Sequence, residues 1–268
     1  MPTFDTPEPI LAYIEVVNGA VRLSATDRDD TVVEVRPRDP SRSSDVKAAE
    51  QARISYRNGK LAITAGRKYL SIGRGGAVDI DIALPSRSRL EASSVSAEVH
   101  ADGVLADCRY STISGALQLD TVDGNIKADS VSGDLDTQSV NGNVSVSTAS
   151  GNVTIDHLEG DVKFQAASGG LTIGRLRGNA KAQTASGSVA VTRAVNGAFT
   201  AHTASGEVEV GVPQGTAARL DLRTSSGVVT NALEQADGPA EDDETLVVQA
   251  RTGSGDIMVH RASDPAAA

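Results

Sequence analysis

The chain has 268 residues, 39% of them hydrophobic, a net charge of −10 and a pI near 4.9. That acidic balance excludes nucleic acid as a main partner, because a binder needs a basic face to displace condensed counterions. Cys108 is the single cysteine, so no internal disulfide can form and the disulfide-stapled secreted class is excluded; no stretch approaches the roughly 20 apolar residues of a helical membrane span.

Residues 1–9 carry acids and prolines where a signal peptide has a basic start and an apolar run, so a cytoplasmic location is expected. From Ile10 to about Leu90 the apolar alternation is strand-like but irregular, predicting strands at 12–17, 20–25, 31–37, 52–56, 60–65 and 77–84. Asn18-Gly19 and Asn58-Gly59 stand between alternating runs as hairpin turns do. Residues 38–47 read as a loop or short helix. Arg67, Lys68 and Arg74 with Gly73, Gly75 and Gly76 make a basic loop that lacks the Gly-Lys-Ser/Thr ending of a phosphate cradle and reads as surface. Residues 1–90 together form an expected N-terminal cap, because an open sheet edge invites aggregation unless something covers it.

Residues 91–107 lead into regular coils, with Gly103 an early corner, and the regular body is set at 91–212. Its signature is a glycine every nine residues: Gly115, Gly124, Gly133, Gly142, Gly151, Gly160, Gly169, Gly178 and Gly187, then Gly197 and Gly206 after one inserted residue. Nine residues are too few for a strand with a helical crossover, and the local period is two, so each unit is one short strand ending at a corner. Ser114, Ser132, Ser150, Ser168, Ser186 and Ser205 precede every second glycine, whereas Asp123, Asn141, Glu159, Arg177 and Asn196 precede the others. The repeat is therefore about 18 residues, most simply two strands per coil, with the serines along one edge. Val, Leu, Ile and Ala fill the interior with Phe164, and Phe199 is placed at the matching position two coils on.

After Val212 the beat fails. Residues 213–262 are assigned to a C-terminal coil and cap, with an acidic exposed loop at 231–244 and a last coil closing at Ser254-Gly255; residues 263–268 are a tail. The whole is expected to form one continuous all-β domain.

The rungs Thr148-Ala149-Ser150-Gly151, Thr184-Ala185-Ser186-Gly187 and Thr203-Ala204-Ser205-Gly206 resemble those of the bacterial "putative adhesin" family of unknown function. So do Val78-Asp79-Ile80 leading to Leu84-Pro85, and Arg251 to Ile257 at the close. The resemblance spans nearly the whole chain. It implies a right-handed parallel β-solenoid and brings no catalytic residues.

A serine nucleophile needs a base within reach, and no histidine holds a fixed register beside the serine line, so the serines read as structural corners whose hydroxyls bond local backbone. His100, His157, His202 and His260 read as separate surface residues; by register His157 and His202 cannot share a metal. Asp134 and Asp136 share a face and allow one weak cation contact, but the residues after the glycines read as Asn/Asp corners that bond their neighbours. Outward Lys127, Lys163 and Lys181 make one sheet mildly basic and a candidate partner face, against Gln118, Asp136, Thr154, Thr172 and Ala190 on the other. No cofactor, metal or small-molecule substrate is expected. The reading is a non-enzymatic scaffold that binds protein partners or itself. The alternative is a carbohydrate-binding or carbohydrate-active β-helix, against which stand the absence of Trp and the scarcity of Tyr as sugar platforms.

Overall fold

The computed structural model describes residues 1–66, 76–235, 238–240 and 242–263. The predicted basic loop, apart from Gly76, and most of the predicted tail lie outside them. The chain divides into two compact units, Met1–Thr137 and Gln138–Ala268, and strands dominate both.

The first unit contains β1 (Thr3–Asp5), β2 (Leu11–Thr26), β3 (Asp30–Pro37), the helix α1 (Ser43–Glu50), β4 (Arg53–Arg57), β5 (Lys60–Ala65), β6 (Val78–Pro85), β7 (Ser88–Thr112), β8 (Leu117–Val122) and β9 (Ile126–Ser132). A next strand, β10 (Leu135–Asn141), runs across the division. Parallel pairing sets the order of rungs. β5 and β6 lie along the two halves of β2, and β2 lies along β7 from Leu11↔Arg89 to Ala25↔Gly103. β7 continues into the 18-residue register, Val99 against Leu117 and Cys108 against Ile126.

The first rung by sequence, β2, is thus enclosed by the second and third. On the outer rung, β5 with β6, β4 pairs antiparallel on β5, β3 antiparallel on β6, and β1 on β3. The short polar helix occupies part of the 38–47 stretch and beyond. Its Asp45, buried at 3% exposure, accepts the Ala77 amide at 3.2 Å and ties α1 to the start of β6.

Asn58-Gly59 is the expected hairpin turn. Arg57 faces Lys60 across it, and both turn residues have positive φ (50° and 72°), the geometry that matches strand twist in a two-residue loop. Asn18-Gly19 is not a hairpin. β2 runs through it and stays parallel to its partners on both sides. Here Gly19 (φ 135°) is a coil corner, and a Cβ on it would lie 1.7 Å from the Val78 carbonyl oxygen. A hairpin and a solenoid corner ask the same left-handed backbone of the chain, so the dipeptide marks a turn without saying which kind. Gly103 is a corner, as expected, with φ 87°.

The second unit holds β11 (Val144–Ser150), β12 (Val153–Glu159), β13 (Val162–Ser168), β14 (Leu171–Arg177), β15 (Ala180–Ser186), β16 (Val189–Ser205), β17 (Val208–Val212), β18 (Thr216–Ser226), β19 (Val229–Asn231), β20 (Glu244–Ser254) and β21 (Ile257–Arg261). Val144 stands beside Val162 and Val162 beside Ala180, and on the other sheet Val153 beside Leu171 and Leu171 beside Val189. Two strands therefore make each 18-residue coil. The inserted residue appears as a bulge opposite Leu176 and Arg177, after which Ala180 pairs with Phe199.

Phe164 and Phe199 are both fully buried but occupy adjacent columns: Phe164 lies against Ala182, whereas Phe199 lies against Ala180. The matching-position assignment is corrected accordingly. β15 brings only Ala180 and Ala182 inward at these columns, and the phenyl groups on the neighbouring rungs fill the volume its alanines leave, as close packing requires.

The last rung by sequence is not the last in space. β20 pairs with β16 on one side and β18 on the other, and β21 lies between β17 and β19. The outermost rung of this unit is β18 with β19, and the acidic loop after Asn231 returns the chain inward. Among the described residues no helix is long and apolar enough to cross a membrane.

Candidate functional site

One corner of each coil in the second unit is the serine column. Ser150, Ser168, Ser186, Ser205, Ser254 and Ser226 stand side by side in register. Their backbone carbonyls serve the ladder: Gly169 N–H donates to the Ser186 carbonyl at 2.9 Å and Gly187 N–H to that of Ser205 at 2.9 Å. In the first unit the Ser132 and Ser114 amides donate to the Ile113 and Val95 carbonyls.

The hydroxyls that bond the corners are not the serines'. Thr184 donates to the Gly169 carbonyl at 3.2 Å, Thr203 to Gly187 at 3.1 Å, Thr252 to Gly206 at 3.1 Å and Thr224 to Gly255 at 3.0 Å. Threonine two places before the serine points inward, and the serine points out. The signal was present in the repeated Thr-Ala-Ser-Gly rungs.

At Gly178 the reason for glycine is explicit: φ is +131°, and a Cβ would lie 2.3 Å from the Gly160 carbonyl of the rung below. Where Asn or Asp follows a corner glycine, and at Asp107 in the equivalent register place, the side chain forms an amide-binding ladder, as expected of an Asn/Asp corner. Asp107 Oδ1 accepts the Asn125 amide at 2.9 Å, Asn143 Oδ1 accepts that of Asp161 at 3.2 Å, and Asp161 Oδ1 accepts both the backbone (3.0 Å) and side-chain (2.9 Å) N–H of Asn179. Asn152 and Asp256 do the same for Gly170 and Val228 on the serine edge. These carboxylates are held by amide donors of the next rung. Asp134 and Asp136 are both exposed, and among the described residues no three His, Cys, Asp or Glu side chains converge to hold a metal.

The histidines sit apart. His157 lies beside Arg175, and His202 lies on the other strand class between Gln183 and Arg251. His100 bonds Asp102 (2.9 Å) and Gln118 (3.1 Å), and His260 bonds Glu209 (3.0 Å). Burial pushes the Cys108 thiol up to about 12, which leaves it protonated and inert. Burial also raises Tyr110, against the lowering effect of its bonds to Ser94 and Thr112. The Ser41 hydroxyl and amide hold the Asp39 carboxyl below its ordinary value.

The lysines are placed as follows. Lys127 stands beside Arg109 in the first unit. In the second unit Lys163 and Lys181 are adjacent in register. The same sheet carries Arg251 on β20 and Arg219 and Arg223 on β18, all exposed, with Asp221 bonded to Arg223 at 3.0 Å. On a chain of net charge −10, this outward sheet surface is basic.

Parallel strands in 18-residue register, two corner ladders and a sealed aliphatic interior define a β-solenoid. The chain belongs to the Toastrack DUF4097 family, whose pattern matches residues 13–265. Two solved structures are similar along nearly their full lengths. One is a putative adhesin from Bacteroides fragilis NCTC 9343, at 14% identity and a TM-score of 0.43, covering 96% of this chain and 95% of that one. The other is a putative cell adhesion protein from Clostridium sporogenes ATCC 15579, at 13% identity and a TM-score of 0.26, covering 97% and 98%. No curated protein matches the chain.

Proposed function

We propose that the chain is a non-enzymatic interaction module that docks an acidic protein surface against the basic sheet of its second unit. The observation that carries this is the in-register placement of Lys163 beside Lys181, on the sheet that also presents Arg219, Arg223 and Arg251. In-register rungs set Lys163 and Lys181 about 4.8 Å apart in one column, and Arg251 and Arg223 the same distance apart in another. Rigid strands hold them there without the entropy cost that ordering a loop on binding would carry.

The test is titration with a Glu-rich peptide followed by anisotropy. Saturable binding is expected, weakened by salt over the range where the Debye length shortens, and weakened about tenfold by combined Lys163→Glu and Lys181→Glu. Equal binding by the doubly reversed chain overturns the assignment. Tight binding of neutral oligosaccharides instead supports the carbohydrate reading.

A further inference from the structure

β18 closes the outer side of the second unit and is unfinished there. Its inward residues Ala218, Leu220 and Leu222 are only half-buried, whereas their register partners Leu246, Val248 and Ala250 on β20 are 1%, 0% and 0% exposed. Val228 and Val229, in the other half of the same rung, are 62% and 41% exposed. An edge strand with apolar inner positions and free backbone groups is a template for another strand. What that strand should be is written in β18 itself. The run Thr216-Ala217-Ala218-Arg219-Leu220-Asp221-Leu222-Arg223-Thr224 is nearly self-complementary about Leu220.

We propose that the occupant of this edge is a second copy of the chain, paired antiparallel through β18 about a two-fold axis at Leu220. In that register Leu220 meets its own counterpart and Ala218 meets Leu222, so the half-exposed inner positions cover one another. On the outward side Arg219 faces Asp221 twice, once on each side of the axis. Arg219 is exposed and, among the described residues, has no ion-pair partner of its own. Opposite charges directly across an antiparallel pair stabilise it and like charges oppose it. A register shifted by one residue would turn the apolar side of one copy toward solvent. Isologous pairing of this kind closes after two copies and does not propagate. It uses the strand edge, not the basic sheet surface, so failure of the acidic-peptide titration leaves it standing and the reverse also holds.

Sedimentation of the full chain should show a mass about twice 27.5 kDa at high concentration, dissociating on dilution. Arg219→Asp sets carboxylates opposite each other and should raise the dimer dissociation constant at least about tenfold, and adding Asp221→Arg should restore it. Register is read separately. Leu220→Cys should form a disulfide-linked dimer under mild oxidation, because the two Cα atoms stand about 4.5–5.5 Å apart across the axis. Leu222→Cys, which faces Ala218, should not. The unsubstituted chain serves as control, since Cys108 is buried. A wild-type chain that stays monomeric at every concentration overturns the proposal. So does a dimer indifferent to Arg219→Asp, or one that cross-links as readily through position 222 as through 220. If Arg219→Asp fails to fold, the cysteine pair decides alone.

Discussion

The outer rungs of the two units are built from the same two-strand coil and are finished differently. In the first, Leu61, Ile63 and Ile80 are wholly buried and Ile82 is 2% exposed; in the second, the inward residues of β18 remain half open. The difference does not lie in the coil. Each outer rung pairs in parallel with an inner one that is itself sealed. What the first unit adds is non-repeating chain: β3 and β4, which pair antiparallel on the rung, and α1, which Asp45 ties to the start of β6. The second unit spends its last residues on an inner rung instead. The repeat supplies walls, and interrupting segments supply lids.

The strongest test of this contrast uses two corner glycines. Gly19 joins the halves of a rung enclosed on both sides, where a Cβ would meet the β6 backbone at 1.7 Å; Gly215 leads into the open rung with φ +73° and nothing within 4 Å. Gly19→Ala should cost more than about 4 kcal/mol, since backbone cannot move aside. Gly215→Ala should cost only about 1 kcal/mol of left-handed strain. Urea unfolding followed by tyrosine emission for the first, and by hydrogen exchange in β20 for the second, measures both.

The next effect is set by pH. Cys108 and every tyrosine precede Gln138, so alkaline titration of buried thiol and phenol acts on the first unit. The folded Cys108 keeps its proton up to about 12, against an ordinary value of 9.0. From pH 9 upward the unfolded chain therefore binds fewer protons than the folded one. Stability from this group is full below pH 9 and lost as pH rises to about 12, by at most about 4 kcal/mol. Tyr110, also raised, acts in the same direction. Cys108→Ala should make the decline from pH 9 to 12 shallower. An unchanged slope would mean the thiol is not the group being titrated.

How much of this the sequence disclosed follows the same division. The coils were legible because each rung repeats the same local demands, and residues related by 18 in number are also neighbours in space, as Ser168 and Ser186 are. The order of rungs was not legible at either outer side. Nothing local in β2 says that β5 and β6 will lie outside it, and nothing in β20 says that it will slip between β16 and β18. Pairing there spans offsets such as Leu11↔Arg89 and Gly197↔Leu246, which no local repeat specifies. Asn18-Gly19 failed for a related reason, since turn chemistry is local and the identity of the partner strand is not. Among candidate functional residues, Lys163 and Lys181 followed from the period alone, whereas Arg219, Arg223 and Arg251 join their sheet only through the unpredicted rung order.

The smallest effect separates the two outer rungs most directly. Ile63→Ala removes side-chain volume from a site with no exposed surface, so the hole it leaves can neither collapse nor fill with water at no cost, and about 3 kcal/mol should be lost. Leu220→Ala at high dilution removes a side chain that is half in water already, and about 1 kcal/mol is expected. If concentration raises the cost of Leu220→Ala toward that of Ile63→Ala, a second chain supplies to the open rung what β3, α1 and β4 supply to the closed one. If the two costs already agree at high dilution, the open rung is covered within a single chain, and the contrast between walls and lids no longer holds.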